Sequence, residues 1–318
     1  MRVPRIPGTI GILVAAILLA APAAARDNGA PPRALAMGDA VHAIGMGTSG
    51  LYFNPATMSQ TMAYAIDVGY GYRSWTNGHN VHLAFVDSKT NPDVAGGSGY
   101  TYTYAKKNDI KTQIHDIRFA ASSQYRTGSF MLCYGAGLRT FQLKQDGPTG
   151  IPSLGDWMWD MDIGVLLGVS DLFYIGVSAL NVIGKSRADR SLRISKQSTA
   201  TNLFAPRSFA TSIGFSYSIL NVGLGMDIDL QSKGENKATI NGPLVGLELT
   251  LAQMIALRAG FAWDRVGTGV VRDGHQQMRI SAGLGYVSQY VGVDLGYAHD
   301  VTHASDWNIE ASLRVFLP

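Results

Sequence analysis

From Tyr64 to the end of the chain, apolar and polar residues alternate with period two in segments of about ten residues, each closed by turn chemistry. Successive side chains of a strand point to opposite faces, so each segment predicts a strand with one oily and one polar face. Tyr64, Ile66, Val68, Tyr70 and Tyr72 oppose Ala65, Asp67, Gly69, Gly71 and Arg73. Val222, Leu224, Met226, Ile228 and Leu230 oppose Gly223, Gly225, Asp227 and Asp229. The last segment sets Trp307, Ile309, Ala311, Leu313, Val315 and Leu317 against Asn308, Glu310, Ser312 and Arg314. The pattern predicts fourteen strands, near 63–73, 80–88, 98–106, 113–125, 129–143, 157–170, 172–183, 207–219, 221–232, 243–251, 254–265, 276–288, 290–299 and 307–317. An even count suits a closed antiparallel barrel whose first and last strands meet on one rim. Tight connections at Ser170-Asp171 and Leu220-Asn221 contrast with long polar ones at 146–156 and 184–205. Short turns on one rim and long loops on the other are the outer-membrane pattern.

A soluble sandwich also alternates, but its polar face meets water and is usually rich in Lys and Glu. Here that face is mostly Gly, Ser, Ala and Asp with isolated Arg, and only 15% of the chain is charged, against ~25% in an average soluble domain. Small residues fit a crowded lumen. Aromatic residues gather near strand ends on the oily face: Tyr64, Tyr72, Trp159, Phe173, Tyr217, Trp263, Tyr286, Tyr297 and Trp307. Membrane interfaces favour that placement. The fold class expected is therefore all-β, a transmembrane antiparallel β-barrel.

The start of the chain reads differently. Arg2 and Arg5 precede the apolar run 10–20, and Ala23-Ala24-Ala25 follows, the pattern of a cleaved secretory signal over 1–25. That run is shorter than the ~20 residues a spanning helix needs. Residues 26–62 do not alternate. Ala34–Ile44 reads as a short helix or irregular coil, 45–50 as a loop, and Asn54-Pro55 as a turn, since proline biases its predecessor away from the helix. A segment this apolar suits the interior of a fourteen-stranded barrel, which would otherwise stand open.

Ala34-Leu-Ala-Met-Gly-Asp-Ala40, a spacer and then Tyr52-Phe-Asn-Pro-Ala56 resemble the start of FadL-like outer-membrane proteins. The later segments 162–166, 176–181, 256–261, 281–285 and 293–298 resemble the PorV/PorQ branch of that superfamily. The resemblance implies an N-terminal hatch over 26–62 inside a barrel over 63–318, with Asn54, Pro55 and Ala56 as the hatch motif. It also implies passage of a hydrophobic, fatty-acid-like small molecule. The alternative it implies is a PorV-like carrier or scaffold for secreted proteins.

Parity sorts the remaining chemistry. Asp67, Asp116, Asp160, Asp162, Asp227, Asp229, Glu248, Asp294 and Glu310 share the inward face with Arg73, Arg118, Arg258, Arg279 and Arg314. Lys or Arg on the lipid face costs ~2–4 kcal/mol at mid-membrane, so regular inward parity is expected of a barrel. These charges either tie hatch to wall or gate a solute. The carboxylate pairs Asp160/Asp162 and Asp227/Asp229 are expected to meet Arg on neighbouring strands. His303-Ala-Ser305-Asp306 holds triad residue types, but adjacency is not triad geometry, and a polar turn is the simpler reading. No Gly-x-Ser-x-Gly elbow occurs. Cys133 stands alone and is expected to be a small inward residue, the seven His are scattered, and no metal or other cofactor is expected. A net charge of +3 without a basic run does not suggest a nucleic-acid binder, and no nucleic acid is expected as a partner. The partners expected are outer-membrane lipid, the barrel assembly machinery, and a hydrophobic ligand or a secreted protein.

Overall fold

The computed structural model describes residues 31–91, 93–107, 110–146, 157–183, 207–230, 238–264 and 277–317. The proposed signal peptide over 1–25 lies outside them. Fourteen strands run β1 (Tyr64–Arg73), β2 (Gly78–Asn91), β3 (Val94–Lys107), β4 (Ile110–Thr127), β5 (Phe130–Asp146), β6 (Trp157–Val169) and β7 (Phe173–Leu180). They continue as β8 (Arg207–Tyr217), β9 (Leu220–Leu230), β10 (Ala238–Leu251), β11 (Ile255–Asp264), β12 (Gln277–Val287), β13 (Val291–Asp300) and β14 (Trp307–Phe316). Every strand pairs antiparallel with its sequence neighbours, and β14 returns to β1 from Ala65↔Phe316 to Arg73↔Asn308, closing the barrel without an edge.

The oily face is the outer face. Along β13 the even positions are buried while Val293, Leu295 and Tyr297 are exposed. Phe119 is 57% and Trp159 63% exposed. The hydrophobic rows therefore do not meet in a dry centre. They form an exterior that only lipid can cover, and the closed ladder satisfies the wall's backbone without water.

The short connections crowd one rim, the rim where β1 begins and β14 ends. They use left-handed residues, Gly128, Ser170 with Asp171, Ser218, and Ala252 with Gln253, all at positive φ. Such residues match the twist of tight hairpins. The second tight turn sits at Ser218-Ile219, two residues before the expected Leu220-Asn221, which open β9 instead. The long polar connections on the opposite rim fall largely outside the described residues.

Several boundaries differ from the sequence reading. β10 starts at Ala238 rather than near 243, because Gly242-Pro243 forms a bulge between Asn241↔Asp227 and Leu244↔Gly225. Proline donates no ladder bond, so it reads as a strand start although the strand resumes on both sides. β7 stops at Leu180 instead of 183, where Asn181 turns to φ 57°. β2 and β3 each run several residues beyond the expected 80–88 and 98–106.

The segment 31–63 lies inside the barrel. It comprises α1 (Pro32–Ala36), a 3-10 turn at Gly47–Ser49, α2 (Gly50–Phe53) and a 3-10 stretch at Pro55–Gln60. Pro32 opens α1, where a missing N–H costs nothing. Helix α1 packs on β11–β14, and Pro55–Gln60 packs on β3–β6. Glycines of the inner wall let the segment approach: a β-carbon on Gly223 would fall on the Ala40 carbonyl oxygen. One hydrophobic core joins Leu51, Tyr52, Phe53 and Met58 to Ala84, Val86, Met131, Cys133, Leu166 and Tyr174 of the wall.

Candidate functional site

The candidate site is the seam between the N-terminal segment and the wall. Asn54 stands in an extended conformation and caps the following 3-10 stretch through the Ala56 N–H, 3.1 Å away. Its amide nitrogen donates to the His42 carbonyl at 2.8 Å and to the Val165 carbonyl of β6 at 3.3 Å. A β-carbon on Gly164 would fall on Asn54 Oδ1, and one on Gly135 would meet the Pro55 backbone. Ala56 is fully buried in the core. The three motif residues thus sit together against β5 and β6.

Inward charges gather into two networks. The larger one crosses β10, β11, β13, β14 and β1. Arg33 of α1 grips Glu248 with two bonds, Nε to Oε2 and Nη2 to Oε1, both 2.9 Å. Its third nitrogen donates to the Ile44 carbonyl at 2.8 Å. Arg258 bridges Glu248 and Asp294 at 2.6 Å each. Arg314 lies 3.6 Å from Asp294 and 2.8 Å from Asp67. Asp67 also accepts the Thr48 hydroxyl at 2.9 Å, and His82 Nε2 stands 3.6 Å from its other oxygen. Three guanidiniums meet three carboxylates, so their formal charges balance. Burial by itself disfavours the Arg33 charge, and the Glu248 carboxylate more than offsets this, holding the guanidinium above its ordinary range.

The smaller network joins β4, β5 and β6. Asp116 takes Arg118 at 3.0 Å and Arg139 at 2.6 Å, and Asp162 lies 3.8 Å from Arg118. Arg118 donates to the Leu51 carbonyl at 3.3 Å, and its guanidinium lies 5.0 Å from the centre of the Tyr52 ring. Tyr52 hydrogen-bonds Thr101 at 3.4 Å, and burial pushes its phenol up to about 12.

The remaining predicted residues fall outside these two networks. Arg279 reaches Asp39 of the N-terminal segment at 2.9 Å. Arg73 stands 3.7 Å from Glu310 near the far rim. Of the two carboxylate pairs, Asp162 keeps the expected guanidinium contact, 3.8 Å from Arg118. Asp160 and Asp162 accept the backbone N–H groups of Ile183 and Asn181, at 3.0 and 2.7 Å, where β7 leaves the ladder. Asp227 faces His42 at 3.5 Å, and the side chain of Asp229 lies outside the described residues. Deep donors otherwise lost at the end of a strand explain why carboxylates sit there.

Arg33, Asp39, His42 and Thr48 were not singled out from the sequence, because the non-alternating segment offers no period to read. Arg139 was missed although it shares inward parity with Cys133, and that parity would have found it. Cys133 itself is buried in the core.

A Ser–His–Asp grouping does occur at the seam, with Ser178 Oγ 3.1 Å from His42 Nδ1 and Asp227 3.5 Å from His42 Nε2, but all three are buried away from any opening. The triad residue types of the 303–306 turn do not assemble. Ser305 donates to its neighbour Asp306 at 2.8 Å, while His303 faces Asp300 at 3.3 Å. His79 and His82 point to opposite faces of β2. Among the described residues no cluster of His, Cys, Asp and Glu could hold a metal ion. A small cavity opens by the far rim beside Trp75, Thr76, Thr103, Ala105 and Ile114. The arrangement of the described residues suits a plugged lumen with a small recess at its rim.

No protein-family model matches the chain, and no curated protein matches it. Solved structures do. A crystal structure of the P. putida toluene transporter TodX matches with a TM-score of 0.62 at 10% identity, covering 91% of this chain and 97% of that one. A second Pseudomonas putida TodX structure gives 0.59 at 11% identity, over 92% and 98%. A TodX deltaS2S3 mutant, a monoaromatic hydrocarbon channel, gives 0.54 at 11% identity, over 85% and 94%. At these identities the likeness concerns the fold alone, a closed fourteen-stranded antiparallel barrel, built in this chain around its own N-terminal segment.

Proposed function

We propose that the protein passes hydrophobic small molecules across the outer membrane, with residues 26–62 acting as the hatch and residues 1–25 as the export signal. The observation that carries this reading is the closed, oily-faced barrel plugged by its own N-terminal segment, in a fold shared with a toluene transporter. A polar pore would suit an open, water-filled lumen. A filled lumen suits an apolar guest that passes only as the hatch shifts and widens the small recess beside Trp75 and Ile114. Asn54-Pro55-Ala56 and the Arg33–Glu248 grip then set how readily the hatch moves.

The test is uptake of labelled toluene and of a labelled long-chain fatty acid by cells with and without the gene. Uptake that falls on deletion and returns with the wild-type gene supports the proposal. Uptake that is identical in both strains overturns it. Trp75→Ala, at the recess, is expected to reduce uptake several-fold without changing the amount of folded barrel.

A further inference from the structure

The outer face of β3–β5 changes character along the strands, and strand register arranges it in rows. Phe119 and Leu138 stand directly opposite, with Ile117 one step higher, and this is oily wall. Above Ile117 lies the row Tyr102, His115 and Gln142. Above that, Gln113 faces Lys144, and in the last row Lys111 stands between Lys106 and Asp146.

His115 marks the level where the oily wall ends. It accepts or donates a bond with Tyr100 Oη at 2.9 Å, and its ring lies 5.0 Å from Tyr102. The same clasp recurs on β1–β2, where Tyr70 Oη lies 2.7 Å from His79 and the Tyr72 ring 5.1 Å away. Rings with a polar tip settle at headgroup depth. On β1–β2 the strands stop just above this level, at Arg73 and Gly78. On β3–β5 they continue, and they carry lysines.

Lys106, Lys111 and Lys144 are all exposed on this outer face, while Lys89 lies at the opposite rim. Lys106 and Lys111 are direct cross-strand partners, an arrangement that destabilises a sheet unless an anion lies between the charges. Asp146 flanks Lys111, so among the described side chains of this face three ammoniums face one carboxylate, a surplus of two positive charges. The charge sits above the row of Tyr102, His115 and Gln142, below which the outer face carries Ile117, Phe119 and Leu138. Free phosphate would have no use for those apolar side chains, and a soluble acidic protein could not lie against a wall covered by lipid.

We propose that the outer face of β3–β5 docks an anionic lipid of the surrounding leaflet. Its headgroup phosphate lies among Lys106, Lys111 and Lys144, and its acyl chains run down past Ile117, Phe119 and Leu138. Each lysine at a membrane surface favours anionic lipid, and the three act together.

Trp157 and Trp159 lie on the same outer face of β6, Trp157 directly opposite Gln142, and report on this lipid. The experiment uses the full chain in phosphatidylcholine vesicles, with Trp75, Trp263 and Trp307 replaced by Phe. Quenching by brominated phosphatidylglycerol is compared with quenching by brominated phosphatidylcholine. At low salt the anionic lipid is expected to be preferred about fivefold. The preference is expected to vanish in the triple variant Lys106→Gln, Lys111→Gln, Lys144→Gln and to survive Lys89→Gln. Equal quenching by both lipids before the lysines are changed overturns the proposal, and so does a preference that the triple variant keeps. Should the triple variant not fold, the salt dependence of the parent decides: a preference that persists unchanged near ~0.5 M salt, where exposed charges are screened, overturns it as well.

Discussion

The N-terminal segment holds the wall in two unlike ways. Toward β10–β14 and β1 it is tied by charge, through Arg33 on Glu248, Arg279 on Asp39 and Thr48 on Asp67. Toward β2–β7 it is held mainly by packing, through Leu51, Tyr52, Phe53 and Met58 against Val86, Met131 and Leu166. Among the described residues no carboxylate of the segment meets an arginine there, although Arg118 donates to the Leu51 carbonyl and Asn54 to that of Val165. The two sides respond differently to disturbance. A packed contact degrades in proportion to the volume removed. A buried ion pair fails abruptly, since losing one partner strands the other without water. A charge-tied seam can therefore let go as a unit while the packed side acts as its hinge.

That contrast can be broken first at Glu248. Glu248→Ala leaves Arg33 and Arg258 without their shared carboxylate, and the expected loss is about 3–5 kcal/mol in urea unfolding of the reconstituted barrel. The same variant is expected to raise conductance in planar bilayers as the charged side loosens. A variant with unaltered stability and conductance would mean that this side carries no share of the anchoring. On the packed side, Met58→Ala removes a fully buried side chain and is expected to cost about 2–4 kcal/mol with little added conductance. Both effects are expected to be nearly independent of salt, because buried charges are weakly screened. The exposed lysine patch differs in that respect.

Smaller effects sharpen the comparison. Asn54→Ala removes the cap of the 3-10 stretch and the bonds to the His42 and Val165 carbonyls, with an expected cost of about 1–2 kcal/mol. Amide exchange at Ala56 and Thr57 is expected to rise, which locates the effect in the motif. The smallest effect belongs to Tyr52. Its folded value, about 12, lies above the ordinary phenol value of about 10, because burial favours the neutral form. The stabilisation is complete below pH ~10 and fades as pH rises through ~12. Ultraviolet titration of the wild type minus Tyr52→Phe is expected to show one phenol with its midpoint near 12; a midpoint near 10 would place Tyr52 in water.

Much of the wall was legible without coordinates. Period two on both faces leaves little freedom, since a slip of one residue would turn every oily side chain inward. That is why the inward parity of Asp116, Arg118, Glu248 and Arg258 could be read directly. The bulge at Gly242-Pro243 was not legible as a bulge, because a proline looks the same at a strand start and inside an interrupted ladder. The grip of Arg33 on Glu248 spans 215 residues, and no local pattern announces such a contact. The lysine patch was equally hidden: Lys106 and Lys144 are far apart in sequence and meet only through Lys111 and Gln113 on the strand between them.

The sequence by itself determined that this chain makes a barrel with oil outside and polar groups within, because alternation is a local property enforced by the pleat of every strand. Tertiary structure alone decided which carboxylate meets which guanidinium and how the N-terminal segment is divided between charge and packing. It also decided where the outer wall turns cationic. Those outcomes depend on stagger between neighbouring strands and on closure of β14 against β1, geometric quantities shared by the whole ring and carried by no single segment.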